Sequence, residues 1–168
     1  MPFDPSLLIF LKLLTATFLG LIVGAERSIV ARQPAGMRTF ALVSMGACMF
    51  IIASTALGDK YAALSGGFDP KTVASVLQGV VQGIGFIGAG VMFVRGESVH
   101  GITTAAGLWV SAAVGVFVAF DMYSVAIFAA ALTLLVFFGM WYVEHMFKAW
   151  YDSKLAQSNR KTQDDILR

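Results

Sequence analysis

The side chains able to do chemistry in this sequence gather at four places: Glu26 with Arg27, Arg38 with Thr39, Arg95, and Thr103 with Thr104. Three guanidinium groups against one carboxylate leave excess positive charge, the setting for holding a phosphate, a carboxylate or an anionic lipid head group. Glu26 would orient Arg27 or Arg38, and the threonines would add hydroxyls or helix-start amides. A topological reading competes with this one, because arginines collect at one membrane face when insertion favours them there. Spacing alone leaves both open.

A second polar set consists of Lys12, Gln78 and Gln82. Gln78 and Gln82 are four apart, which puts both amides on one side of a helix. They either line a polar route or hydrogen-bond a neighbouring helix. Lys12 lies inside an apolar run, where a mid-membrane cation is disfavoured by roughly 2.5–3.5 kcal/mol. Being about two turns from the end of that run, it is expected to snorkel toward the outer face. No acidic side chain is expected at its depth, so an inward-pointing ammonium would need carbonyls, hydroxyls or a bound anion.

Other chemistry finds no support. There is no H-E-x-x-H, no G-x-S-x-G and no carboxylate pair within an apolar run, so no catalytic residue is assigned and the chain is not expected to be an enzyme. The single Cys48 excludes an intrachain disulfide and a multi-cysteine metal site, and no metal ligand or cofactor is assigned. Gly83-Ile84-Gly85-Phe86-Ile87-Gly88 fits G-x-G-x-x-G, but it sits mid-way along an apolar run instead of after a strand, so it is not read as a nucleotide site. Mg2+ dehydrates reluctantly and needs oxygen ligands, yet no Asp or Glu lies in the middle of any run, which argues against unassisted passage of that ion.

These residues must be positioned by membrane helices. Of 168 residues, 58% are hydrophobic and 13% charged, and the mean hydropathy is +0.78. A soluble core of this size could not hide so much apolar surface. Five runs reach the ~20 residues that cross a bilayer, near 5–25, 40–57, 72–94, 102–120 and 122–143. Their continuous apolarity favours helices over barrel strands, which alternate. The expected fold is an all-α integral membrane bundle of five transmembrane helices, one domain over 1–144, followed by a short cytoplasmic juxtamembrane tail over 145–168. Small residues at Gly20, Gly24, Gly79, Gly83, Gly85, Gly88 and Gly90 are expected to let helix backbones approach closely. The same faces allow a homodimer.

Charge decides the expected orientation. Only Asp4 precedes the first run and Arg27 follows it, the reverse of a cleaved signal peptide. With the N-terminus outside, the cytoplasmic segments carry nine Lys and Arg and the outer segments carry Lys60 and Lys71. A net charge of +2 is too mild to suggest nucleic acid, and the bilayer itself is the expected partner.

Three stretches taken together carry a resemblance: Gly24-Ala25-Glu26-Arg27 with Ala35-Gly36-Met37-Arg38-Thr39; Gly83 to Gly90; and Gly101-Ile102-Thr103-Thr104-Ala105-Ala106-Gly107-Leu108-Trp109. Their order and spacing resemble the MgtC/SapB family of bacterial inner-membrane proteins over about Gly20 to Gly115. The resemblance implies a five-helix domain with its N-terminus outside, a multi-pass place in the inner membrane, and a link to magnesium homeostasis and stress adaptation. The family's best-known virulence member acts on other membrane proteins and is not a demonstrated magnesium pump. That member has a further soluble C-terminal domain, whereas about 25 residues follow the last run here, so such a domain's roles are not carried over. His100 stands where many relatives have Arg, and Phe40 where His is frequent. The function expected is action through the arginine border on an anionic ligand or a membrane-protein partner. The alternative is an ion or small-solute transporter with its route along Lys12, Gln78 and Gln82.

Overall fold

A computed structural model describes residues 4–31, 33, 35–65, 70–139, 142 and 146. Helix α1 spans Pro5–Ile29, α2 Met37–Ser65, α3 Pro70–Val91, α4 Ile102–Ala119 and α5 Tyr123–Gly139. The first four are long and apolar enough to cross a membrane, and α5 is shorter. The observed helices therefore follow the five expected runs. Contacts divide the chain into two compact units, Met1–Leu134 and Leu135–Arg168. Described residues of the second unit are the end of α5 with Tyr142 and Met146; nearly all of the expected tail lies outside the described residues.

Local chemistry explains the helix ends. Asp4 caps α1 by accepting from the Ser6 amide at 3.0 Å, and Pro5 occupies the first position, where no amide donor is needed. The helix runs four residues past the expected edge at Ala25, so Glu26 and Arg27 lie within it. At the start of α2, the Met37 amide donates to the Ser28 hydroxyl at 2.9 Å, so a side chain of α1 supplies the cap. The α4–α5 turn is a Schellman motif: Met122 N–H donates to Phe117 O and Asp121 N–H to Val118 O. It places Asp121 at φ 62°, where Gly or Asn is usual.

One element was not expected. The third run extends to Val94 in the apolar pattern, but α3 stops at Val91 and the chain enters a short hairpin, β1 Phe93–Arg95 with β2 Ser98–His100. Gly96 has φ 64°, and Glu97 does not share a positive φ, the pattern of a two-residue hairpin turn with glycine first. Strand pairing then satisfies backbone groups that a helix end would leave open.

Helices α1, α2 and α4 form the core. Phe40, Ile51, Leu108, Val23, Val114 and Val118 are fully buried there. Helix α3 packs on α2 and α4 but buries only Ile84 and Gly88. Along α5, Ala126, Ala130 and Thr133 are buried, spaced four and three apart on one face.

Candidate functional site

The last turns of α1 hold the most buried charges. Ala16, Leu19, Val23 and Glu26 repeat at three and four residues, the stripe a helix buries, so burying the apolar residues draws the carboxylate inward with them. Glu26 is 2% exposed and Arg27 8%. Arg27 Nε donates to Glu26 Oε2 at 2.5 Å. Pairing is what makes the burial tolerable, since removing one partner would leave an uncompensated charge. Glu26 Oε1 is buried with no hydrogen-bond partner among the described residues.

Arg38 and Thr39 sit elsewhere, in the first turn of α2. Arg38 is exposed and makes no ion pair or hydrogen bond among the described residues. Both residues line one end of a groove of about 780 Å³ between α2 and α3. Its other walls are apolar or glycine, including Leu42, Val43, Gly46, Phe50, Gly79 and Gly83. A second space of about 100 Å³, between α3 and α4, is lined only by apolar side chains such as Leu77, Ile84, Trp109 and Phe117.

The remaining border residues are dispersed. Thr104 is buried in the first turn of α4, whereas Thr103 is exposed. Arg95 ends β1 opposite Ser98, and its side chain lies outside what is described. His100 is exposed and stacks on Phe93, ring centroids 5.4 Å apart. Direct bonding joins Glu26 to Arg27.

Lys12 corrects an expectation. Its ammonium donates to Asp121 Oδ2 at 2.7 Å and to Ala119 O at 3.0 Å. An acidic partner does exist at its level: the α4–α5 turn brings it there. The cation also sits on the carbonyl end of α4, where the helix dipole favours it. Sequence reading missed the pair because its members are 109 residues apart; the only signal was Asp121 standing in the short break between two apolar runs. Gln78 and Gln82 are exposed on α3 and make no hydrogen bond among the described residues. Helices α1 and α3 share no substantial contact. The three residues of the expected polar route are therefore split between two parts of the fold.

The glycines divide in the same way. A Cβ on Gly20 would lie 2.6 Å from Phe40 O, and one on Gly24 2.9 Å from Gly36 O, so these positions let α1 and α2 touch backbone to backbone. Gly88 would meet the Ala105 side chain at 3.6 Å, an ordinary contact. Among the described residues nothing comes within 4 Å of a Cβ on Gly79, Gly83, Gly85 or Gly90, so there they mediate no close helix approach. Sequence reading missed Gly115, whose Cβ would clash with Ser44 O, and Ser111, whose hydroxyl donates to Phe40 O at 2.8 Å. The G-x-x-x-G spacing signals a contact only where a second helix is there to make it.

Comparison with known proteins decides the kinship. Residues 13–146 match the family model for MgtC. The chain belongs to the MgtC family. An Escherichia coli (strain K12) protein named "Putative magnesium transporter YhiD" is 40% identical over 115 residues, which cover 68% of this chain and 52% of that protein. Protein MgtC of Salmonella typhimurium (strain LT2) is 39% identical over 124 residues, covering 74% of this chain and 48% of the relative. A Haemophilus influenzae protein is 38% identical over 118 residues, covering 68% and 48%. This MgtC family chain spans about half the length of the curated relatives it matches. No solved structure matches it. Family membership and the long apolar helices make it a multi-pass membrane protein.

Proposed function

We propose that this MgtC family protein is a bacterial inner-membrane regulator linked to magnesium homeostasis and stress adaptation, and that it acts through Arg38 on an anionic ligand or a membrane-protein partner. The observation that carries the reading is an exposed guanidinium without an ion-pair partner among the described residues, at the end of an apolar groove. The excess of Lys and Arg on one set of loops supports placing that end in the cytoplasm and the N-terminus outside. The names of the relatives support the link to magnesium.

The transporter reading is weaker because its three polar residues are separated: Lys12 is engaged by Asp121, and Gln78 and Gln82 lie outside the larger groove. Two assays decide between them. In cells lacking the gene, growth in low Mg2+ should be restored by the wild type and lost with Arg38→Ala, while proteoliposomes of either protein carry no Mg2+ flux. Saturable flux by the wild type, abolished by Gln82→Leu, would instead establish transport.

A further inference from the structure

The α2–α3 groove has a shape and a charge pattern that a bilayer component matches. Its polar lining is confined to Arg38 and Thr39 at one end, and the rest of its walls are Leu, Val, Phe, Ile, Ala and Gly. An occupant must therefore carry one anionic group at one tip of an apolar body. From Arg38 to Phe50 the groove follows α2 for about 18 Å at 1.5 Å per residue. That is close to half of a hydrocarbon core about 30 Å thick, so the groove is one leaflet long, whereas a crossing helix needs the whole thickness. The width comes from glycine. Gly46, Gly79 and Gly83 line the groove, and a Cβ built on any of them meets nothing within 4 Å. Several lining residues, among them Leu42, Phe50, Gly79, Gly83 and Ile87, are exposed, so lipid reaches the groove directly. The smaller space between α3 and α4 has no charged end and offers no such match.

We propose that this groove binds one anionic phospholipid, its phosphate on Arg38 and Thr39 and an acyl chain running past Gly46, Gly79 and Gly83. The assignment rests on the reading above that Arg38 recognises an anionic group, and it names that group as a lipid head.

The test is native mass spectrometry of the full chain in detergent with equal amounts of phosphatidylglycerol, phosphatidylethanolamine and phosphatidylcholine. The wild type should retain phosphatidylglycerol preferentially. Arg38→Gln should lower that retention about fivefold, the share of one interfacial arginine, and leave the zwitterionic lipids unchanged. Gly83→Leu, which places a side chain in open space and so keeps the fold, should reduce lipid retention by filling the groove. Circular dichroism confirms the helical content of both variants. Unchanged phosphatidylglycerol retention in both variants overturns the proposal. So does displacement of the lipid by inorganic phosphate at equal concentration, which would mark a small-anion site, or a doubled mass that Gly83→Leu returns to monomer, which would mark a second copy in the groove. If Arg38→Gln abolishes growth in low Mg2+ while the lipid preference persists, the lipid assignment fails and the regulatory reading stands. If lipid is lost and growth is normal, the reverse holds.

Discussion

Helix α2 meets α1 and α4 through backbone atoms at glycines, while α3 packs on α2 and α4 with a groove beside each of these contacts. Both regions are rich in glycine. In the first, glycine removes a side chain so that a carbonyl can take its place, as at Gly20 against Phe40 and Gly115 against Ser44. In the second, it removes a side chain and nothing among the described residues comes in, as at Gly79 and Gly83. Lipid is as apolar as Leu or Val, so helices associate there by contact area and buried polar bonds, and the first region has both, with Ser111 donating to Phe40 O across α2 and α4. The tight region is built to hold its shape. The looser one, on the proposal above, accepts a lipid.

The largest effect that sharpens this contrast should come from the buried pair. Arg27→Met leaves the Glu26 carboxyl in the core without the guanidinium that pairs with it, and unfolding in a denaturing-detergent titration should show a loss of about 3–5 kcal/mol. Glu26→Leu added to Arg27→Met should recover much of it, since replacing both members with apolar groups removes the stranded charge. A double variant as unstable as the single one would show that the pair is not what holds the end of α1. Next in size, Gly115→Ala pushes a methyl into the Ser44 carbonyl and forces α2 and α4 apart, and it should cost about 1–3 kcal/mol in the same titration. A neutral result would mean that the core is as pliant as α3.

Much of the fold was legible in the residues, and the reasons mark its limits. Apolar run length is a direct consequence of bilayer thickness, so five runs located five helices. The hairpin at 93–100 escaped because Phe93 and Val94 are as apolar as the helix before them, and the deciding signal, Gly96 with a polar neighbour, is only two residues long. At the candidate site, residue types named the charged positions but not their partners. Glu26 found Arg27, its neighbour in sequence, whereas Lys12 found Asp121 through a turn that no local pattern encodes. Glycine was the least legible residue, because its spacing reports that a face is small and says nothing about what stands opposite.

The smallest effect is therefore the most discriminating, because it has the opposite sign. Glycine inside a helix is less favourable than alanine by about 0.8–1.0 kcal/mol, as it gains more freedom on unfolding and has no side chain to shield the backbone. At Gly115 that gain is overwhelmed by the clash. At Gly79, with nothing within 4 Å of the new methyl, it should survive, and Gly79→Ala should stabilise the purified chain by up to about 1 kcal/mol. Suppose instead that Gly79→Ala destabilises the protein in native lipid while stabilising it in lipid-free detergent. The methyl would then be displacing something that lipid supplies and detergent does not, which places an occupant against Gly79. Equal stabilisation in both media would show that the groove is empty at that level, and that α3 is loose for a reason other than binding.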